Sequence, residues 1–384
     1  MILRKIQKQI EQSLGNKKSV LLLGPRQTGK STLIQQIGVD HEFNLSNQSV
    51  FLEFARDPLY LEQSLKAILP KGGLVFIDEV QRVSSVLNTI QYLIDKKKGY
   101  QFILTGSSAR KLKKGKANLL PGRLHAYDLG PVVSSELGYQ ANTNSLLAFG
   151  ALPGVITEMQ SREIKKLLRS YTTTYLNEEI KAEALTKNLE GFTRFLFNIA
   201  VDSTKYMDLT KVSKMIAVPR QTTQRFFEIL EDTLLVQRLE VFAKSEKRRL
   251  IQHPRFFIFD NGVLNSLLNN FNVSADRIGQ LFENLFITQL MTSLKSGDLE
   301  FRLSSYRTDA GAEVDVVLEV NNKIYAIEIK SGQFAKSSLG GLRSFKKFVG
   351  QQVECIVVVP DGQQKVIEDI QVMPWQNFLK SLKI

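Results

Sequence analysis

A glycine-bounded loop near the start of the chain has the residue types of a phosphate-binding site. Residues 24–31 read Gly-Pro-Arg-Gln-Thr-Gly-Lys-Ser and fit the pattern G-x-x-x-x-G-K-[ST]. In such a loop the backbone N–H groups face a phosphate, and the N-terminus of the following helix favours negative charge. Lys30 can reach the β- and γ-phosphates, and the Ser31 hydroxyl can bind Mg²⁺. The predicted nucleotide-binding residues of the loop are Gly24, Pro25, Gln27, Thr28, Gly29, Lys30, Ser31 and Thr32.

Two adjacent carboxylates are predicted to complete an ATP site. Asp78 and Glu79 end the apolar run at 74–77. Asp78 would hold Mg²⁺ through water, and Glu79 would act as general base toward the attacking water, although two acids after a strand can also form a solvated loop. The next apolar run leads to Thr105 and Ser107, either of which can sense a γ-phosphate. The sequence does not rank these two, and Ser107 joins the predicted ATP-binding set.

A second group of polar residues falls on one predicted β-hairpin. Asn321-Asn322 suits a two-residue turn, because Asn tolerates the positive φ that such turns require. Pairing outward from this turn places Asp315 opposite Glu328 and Glu313 opposite Lys330, with these four residues on one face. The other face would carry Val314, Val316, Leu318, Tyr325, Ile327 and Ile329.

The opposed acids give this hairpin a possible metal chemistry. Directly opposed Cβ atoms lie about 4.5–5.5 Å apart, so Asp315 and Glu328 would be close enough to share a metal ion. Two like charges at that distance repel without a cation, and hard oxygen ligands suit Mg²⁺ or Mn²⁺. Lys330 would then stabilise a scissile phosphate or an attacking hydroxide. The alternative is a hairpin with surface charges, in which Glu313 pairs with Lys330.

Composition and charge limit the classes of protein that fit. The chain has 384 residues, 43% of them hydrophobic, and a net charge of +13, which favours a polyanionic partner such as nucleic acid. Its single cysteine excludes an intrachain disulfide, and we expect a reducing cytoplasmic location. No apolar run has the length of a membrane span, so no membrane association is predicted.

The elements that must position these residues suggest an α/β chain of three domains. Short apolar runs at 19–23, 42–45, 74–78, 101–105 and 125–129 alternate with helical patterns, which predicts a largely parallel sheet with its ligand at the carboxyl ends of the strands. A glycine- and proline-rich cluster at 150–154 indicates a boundary. The predicted domains are 1–150, a P-loop ATPase domain; 151–275, a helical domain; and 276–384, an α+β domain rich in strands.

The middle domain contains a predicted winged helix-turn-helix. Residues 209–230 read as a helix, a tight turn at 217–219 and a second helix, and a strand follows at 234–239. In the second helix Phe226, Phe227 and Leu230 would face inward. The exposed start of that helix would present Arg220, Gln221, Thr222 and Arg225. Contact with DNA and packing against neighbouring elements remain equal alternatives for this unit.

The first domain resembles the AAA+ branch of P-loop ATPases. The resemblance rests on residues 24–32, 76–79, 104–108 and 122–123, and the whole chain is similar to a prokaryotic family whose ATPase domain precedes a C-terminal domain of unknown function. It implies a homo-oligomer, most simply a hexameric ring, with ATP sites between subunits. Arg123 would then be an arginine finger acting on a neighbouring subunit, although it can also be an ordinary surface residue. A second sensor arginine, expected in such proteins, is not evident.

The C-terminal hairpin resembles the PD-(D/E)XK nuclease core, a restriction-endonuclease-like fold. The matching residues are Asp315 and the run Glu328-x-Lys330. Such cores often add an acid from a preceding helix, and Glu283 in the helical pattern at 281–294 matches that position. The resemblance implies that Glu283, Asp315 and Glu328 bind Mg²⁺ or Mn²⁺ and that Lys330 assists cleavage. A domain that keeps this fold and binds DNA without cutting it is the rival interpretation.

Together these features predict an ATP-hydrolysing, DNA-processing protein that couples an AAA+ motor to a metal-dependent nuclease-like domain. Basic runs at 96–98, 110–116 and 247–249 would contact the DNA backbone or form solvated faces. One alternative is an ATP-controlled switch or scaffold with a non-cleaving C-terminal domain. Another is a motor that remodels branched DNA such as a junction.

Overall fold

The computed structural model describes residues 2–96, 98–107, 122–175, 188–242, 253–334, 339–350 and 352–384. Two of the basic runs, 110–116 and 247–249, and Lys97 of the third, lie outside these residues. The described chain forms two compact units. The first contains the described residues up to Gly130, with two short segments at 232–234 and 295–298; the second contains the rest. The predicted domain boundaries at 150 and 275 stay a prediction.

The first unit is built on a parallel five-stranded sheet, as its sequence predicts. The strand order is β2-β3-β4-β1-β5, and every pairing is parallel. In the register between β1 and β5, Leu23 pairs with Asp128 and Ser19 with Leu124. The strands are β1 (Ser19–Leu23), β2 (His41–Asn44), β3 (Gly73–Asp78), β4 (Tyr100–Gly106) and β5 (Leu124–Asp128). Each predicted apolar run therefore matches its strand to within a residue at either end.

Both faces of this sheet are covered by helices. Along β1, Leu21 and Leu23 belong to one apolar core, whereas Val20 and Leu22 belong to another on the opposite face. Burial on both faces explains why the strands read as continuous apolar runs without polar alternation. The helices are α1 (Gln7–Gly15), α2 (Lys30–Ile37), α3 (Gln48–Arg56), α4 (Tyr60–Ile68) and α5 (Val86–Asp95). A short 3₁₀ turn, Val80–Val83, directly follows β3.

The second unit begins with helices that pack into one large apolar core. Their bounds are α6 (Thr143–Phe149), α7 (Pro153–Thr157), α8 (Ser161–Ser170), α9 (Leu189–Val201), α10 (Leu209–Met215), α11 (Arg220–Asp232), α12 (Asn261–Leu267) and α13 (Ile278–Ser296). The predicted helix-turn-helix pattern corresponds to α10 and α11, and Ala217 between them has a φ of 54°. Phe226, Phe227 and Leu230 are buried, as predicted, and Arg220 and Arg225 are exposed.

A mixed eight-stranded sheet extends through the second unit. Its order is β12-β13-β11-β10-β9-β8-β6-β7. The first two strands are β6 (Val236–Val241) and β7 (Arg255–Ile258), which pair with each other antiparallel, while β6 pairs in parallel with β8. The others are β8 (Phe301–Arg307), β9 (Glu313–Val320), β10 (Lys323–Ile329), β11 (Val353–Val359), β12 (Lys365–Ile367) and β13 (Ile370–Pro374). Two further helices are α14 (Gly340–Val349) and α15 (Trp375–Ser381).

The β9–β10 hairpin has the predicted register. Val320 pairs with Lys323, and the pairing continues to Val316 with Ile327. Asn321 and Asn322 both have positive φ, 50° and 59°, as the turn requires.

The prediction of a single apolar face on this hairpin was wrong in part. Val316, Leu318, Tyr325, Ile327 and Ile329 do share the large core of the unit. Val314, however, lies in a second core, together with Val317 and Ala326 and with Leu342 and Phe345 of α14. The face of the hairpin that was expected to be polar is therefore covered by a helix over part of its length.

Candidate functional site

The loop at 24–31 lies at the carboxyl end of β1 and leads directly into α2. Gln27 and Gly29 have φ values of 60° and 90°, and a Cβ at Gly24 would lie 2.2 Å from the Leu129 carbonyl oxygen. Gly29 is the N-cap of α2, and its left-handed conformation suits glycine. The first N–H groups of an α-helix have no partner within the helix, and a loop that leads into a helix N-terminus is the arrangement that binds phosphate in other proteins.

Lys30 lies inside this loop. Its side chain is buried, and Nζ donates hydrogen bonds to the carbonyl oxygens of Gly24 at 2.8 Å and Pro25 at 2.9 Å. The Thr28 hydroxyl donates to the same Pro25 oxygen at 2.9 Å. The ammonium group is thus held inside the loop, close to where a phosphate bound by the loop would lie.

Asp78 joins three of the predicted site elements. The Ser31 hydroxyl donates to Asp78 Oδ2 at 3.0 Å, and the Thr105 hydroxyl donates to Oδ1. Thr105 is fully buried on β4, so it orients Asp78 from the neighbouring strand. Ser31 and Asp78 together form an oxygen pair suited to Mg²⁺, because hydroxyl and carboxylate oxygens are hard ligands.

Glu79 follows in a left-handed conformation, with a φ of 57°. Burial raises the pKa of its carboxyl above the usual range, while the nearby Lys30 and Arg26 oppose that rise. Both cations belong to the loop, so the Glu79 carboxyl lies near the loop.

Gln81 is a member of this site that sequence reasoning missed. Its Nε2 donates to the Glu79 carboxylate and, at 3.0 Å, to Ser107 Oγ. Ser107 itself is fully buried after β4. The available signal was the proximity of Gln81 to the acid pair in the run Asp78-Glu79-Val80-Gln81.

Arg4 is a second residue that the sequence did not identify. Its guanidinium donates to the Thr28 carbonyl at 2.7 Å and to the Gly130 carbonyl at 2.8 Å, and the side chain is buried. It therefore braces the phosphate-binding loop from outside. A basic residue before the amphipathic helix gave no local sign of this contact.

Arg123 lies away from the loop in its own chain. It precedes β5 beside the amino end of β1, whereas the loop follows the carboxyl end. Its guanidinium pairs with the Asp95 carboxylate at 2.6 and 3.1 Å. Arg123 cannot contact a nucleotide held by its own loop without crossing the sheet, so only the predicted action on a neighbouring subunit remains for a finger role.

The residues predicted for a nuclease-like site converge in the second unit. Glu283 lies on α13, Asp315 on β9, and Glu328 and Lys330 on and just after β10. Asp315 Oδ2 accepts from the Ile329 N–H at 2.7 Å, and Lys330 Nζ donates to Glu328 at 2.7 Å. The charge of Asp315 acts on both Glu283 and Glu328, so these carboxyls are neighbours.

Arg255, on β7, belongs to the same cluster and was not predicted. Its guanidinium donates to the Glu283 carboxylate, to the Thr204 carbonyl at 2.6 Å and to the Asp315 carbonyl at 3.2 Å. Only 4% of the side chain is exposed. Burial raises the pKa of Glu283 and of Glu328 to about 7, and the Asp315 charge adds to both shifts.

This cluster has the donor chemistry for a hard metal ion, but its carboxylates already have partners within the chain. Glu283 is paired with Arg255, Glu328 with Lys330, and Asp315 with a backbone N–H. Among the described residues, no group of three or more acidic, His or Cys side chains is arranged to hold a metal ion. The predicted three-carboxylate metal site is therefore not assembled in this conformation.

No helix in the described ranges is long and apolar enough to cross a membrane.

Comparison with known proteins places an AAA domain first along the chain. The family model described as "AAA domain" matches residues 16–138. It is followed by matches to two domains of unknown function, DUF8612 at residues 140–274 and DUF4143 at residues 278–378. The phosphate-binding loop and the parallel sheet of the first unit both lie within the residues that match the AAA domain.

The chain is also similar to mycobacterial proteins. It is 25% identical over 319 residues to the uncharacterized protein Rv2008c of Mycobacterium tuberculosis and, equally, to the uncharacterized protein Mb2031c of Mycobacterium bovis. Each alignment covers 81% of this chain and 70% of the relative. The sequence similarity to these relatives therefore extends over most of this chain.

This chain can also be aligned with two solved structures, both at low TM-scores. A crystal structure of protein VC1899 from Vibrio cholerae is 12% identical, with 95% of this chain and 96% of that chain covered and a TM-score of 0.22. Can2 from Sulfobacillus thermosulfidooxidans, solved with cyclic tetra-adenylate, is 10% identical, with 83% and 93% covered and a TM-score of 0.21. At TM-scores this low, neither alignment shows a shared fold.

Proposed function

We propose that the first unit binds Mg²⁺-ATP and hydrolyses it. The observation that carries this proposal is the convergence of Lys30, the Ser31–Asp78 pair and Glu79 at one edge of the parallel sheet. The AAA-domain match over residues 16–138 supports the same chemistry.

In this proposal each residue has a defined task. Backbone N–H groups of the loop and of α2 hold the β-phosphate, and Lys30 leaves its carbonyl partners to bind the β- and γ-phosphates. Ser31 and Asp78 would hold Mg²⁺, which neutralises charge on the phosphates. Glu79 accepts a proton as the water oxygen bonds to the γ-phosphorus and the bond to the β,γ-bridging oxygen breaks.

The test is steady-state ATP hydrolysis and ATP binding by the full chain, with Lys30→Ala as the first variant. We expect Lys30→Ala to lose ATP binding, because it removes the cation within the loop. Lys8→Ala, an exposed position on α1, is the matched control and should behave as wild type. Hydrolysis that survives Lys30→Ala would refute the proposed site.

We further propose that the chain works as a homo-oligomer on DNA, with the C-terminal cluster as the DNA-processing site. The supporting observation is the convergence of Glu283, Asp315, Glu328 and Lys330 from separate elements, in a chain of net charge +13. Metal entry would require the carboxylates to leave Arg255 and Lys330. Mg²⁺ or Mn²⁺ would then supply a polarising cation at a phosphodiester, and Lys330 would stabilise the phosphate.

This second proposal has its own experiment. The protein is incubated with ATP, Mg²⁺ and a panel of labelled linear and branched DNAs, and cutting and strand movement are followed together. Cleavage that disappears in Asp315→Ala and Lys330→Ala supports a nuclease. Binding to branched DNA without cutting supports a junction-remodelling motor. A slow ATPase that DNA neither binds nor stimulates would leave the ATP-controlled switch as the function.

A further inference from the structure

Gln81 is packed into the proposed ATP site, and among the described residues its amide oxygen has no hydrogen-bond partner. The residue lies in the 3₁₀ turn Val80–Val83, directly after Glu79, and its side chain is buried. A Cβ at Gly106 would lie only 2.7 Å from Gln81 Oε1, so this amide fits because β4 ends in glycine. The local packing therefore fixes the Gln81 side chain against the end of the sensor strand.

The nitrogen of this amide joins two residues with different tasks. One hydrogen bond goes to the carboxylate of Glu79, and the other goes to Ser107 Oγ at 3.0 Å. Glu79 is the proposed base, and Ser107 begins the segment after β4, where a γ-phosphate would be sensed. A movement of Ser107 toward a phosphate would therefore act on the same amide that holds Glu79.

The oxygen of the amide has no hydrogen-bond partner within the described part of the chain. An unpaired buried carbonyl is unfavourable, so the arrangement is not the best that this side chain can adopt. The Gln81 side chain therefore loses less on leaving its present position than a fully hydrogen-bonded amide would.

We propose that Gln81 is a positioning residue that restrains Glu79 until a γ-phosphate engages Ser107. This inference rests on the proposed ATPase function. While Gln81 donates to Glu79, the hydrogen bond holds the carboxylate beside Gln81 and Ser107, at the end of β4. Release of that bond frees Glu79 to accept the proton of the attacking water.

The experiment compares wild type with Gln81→Met, which keeps the volume of the side chain and removes both donors. Single-turnover ATP hydrolysis is measured at saturating protein, together with ATP affinity. We expect the hydrolysis rate to rise about tenfold, the cost of one hydrogen bond to a charged group, with ATP affinity unchanged. Gln63→Met, an exposed position on α4, is the matched control and should leave the rate as it is.

Separate measurement of the rate and of the ATP affinity distinguishes restraint from a merely structural role. A restraint that is lost should raise the single-turnover rate in Gln81→Met at an unchanged dissociation constant for ATP, whereas a disturbed site should lower the rate or weaken ATP binding. A rate that is unchanged or lower, with ATP affinity intact, would overturn the restraint. If wild type binds ATP without hydrolysing it and Gln81→Met hydrolyses it, the restraint is supported. If neither hydrolyses ATP, both the inference and the proposed ATPase function fail.

Discussion

Glu79 shows how single residues divide the work of the ATP site. Its carboxyl is half-buried near two loop cations, and its left-handed backbone ends the extended conformation of β3. Asp78, one residue earlier, is occupied by Ser31 and Thr105. Asp78 therefore has an environment suited to a metal ion, whereas Glu79 has one suited to accepting a proton.

We expect Glu79→Gln to bind ATP normally and to lose at least about 100-fold in hydrolysis rate, because the amide cannot accept the proton of the attacking water. Binding is measured with a fluorescent ATP analogue and hydrolysis by phosphate release. Glu53→Gln, an exposed position on α3, is the matched control. A variant that loses binding as well would show that Glu79 is structural.

Asp260 provides a residue-scale prediction in the second unit. Its carboxylate caps α12 through the Val263 N–H and accepts from the Ala151 N–H at 2.6 Å. Burial raises its pKa from 3.8 to about 6, so between these pH values the folded chain binds a proton that the unfolded chain has released. The free energy of unfolding should therefore fall by up to about 3 kcal/mol as pH rises from about 4 to about 6.

Denaturant unfolding across this pH range checks that expectation. Asp260→Asn should remove the Asp260 part of the slope, because the amide does not titrate. It should also lower stability by about 1–3 kcal/mol, since the amide nitrogen would face a buried N–H donor. An identical pH slope in wild type and Asp260→Asn would contradict the assignment.

At the scale of elements, the phosphate-binding loop depends on segments outside it. Arg4, before α1, holds the Thr28 carbonyl, and Leu129, after β5, limits Gly24 to glycine. Backbone N–H groups that face a phosphate are not available to the loop's own carbonyls, so other donors must satisfy them. The buried Arg4 guanidinium takes that role for the Thr28 carbonyl.

We expect Arg4→Ala to weaken ATP binding about tenfold, because it removes two charge-assisted hydrogen bonds that preorganise the loop. The rate at saturating ATP should change little, since Arg4 donates to the carbonyls of Thr28 and Gly130, which lie outside the Asp78–Glu79 pair. Isothermal titration with ATP gives the affinity, and Lys8→Ala again serves as control. Equal affinity in wild type and Arg4→Ala would exclude the bracing role.

At the scale of the whole molecule, the position of Arg123 bears on whether ATP hydrolysis requires a second copy of the chain. Its position beside the amino end of β1 prevents it from acting on the nucleotide of its own chain. A finger role for Arg123 would therefore require a neighbouring copy, and its present partner, Asp95, would have to release it.

Mixing two inactive variants tests this arrangement. Lys30→Ala lacks a usable nucleotide site, and Arg123→Ala lacks the finger. In a random mixed ring about a quarter of the interfaces combine an intact loop with an intact Arg123, so about a quarter of wild-type activity should return. Asp95→Ala, which leaves Arg123 in place, should not reduce the rate. A mixture that stays inactive would exclude action in trans.

The sequence by itself determined the local features of this chain. The five strands of the first unit and the register of the β9–β10 hairpin followed from apolar runs and from the Asn321-Asn322 turn, because period and turn chemistry depend on neighbouring residues. The phosphate-binding loop at 24–31 could be identified from the sequence for the same reason. Its residues are contiguous and their spacing carries the chemistry.

Only the tertiary structure decided which distant residues complete the sites. Arg4, Gln81 and Arg255 each act through contacts that no local pattern encodes, and Arg255 comes from the middle segment of the chain. The double burial of the hairpin was hidden as well, because a helix covers the face that carries the charged residues. Side-chain partners far apart in sequence are set by packing, and packing is fixed only when the whole chain has folded.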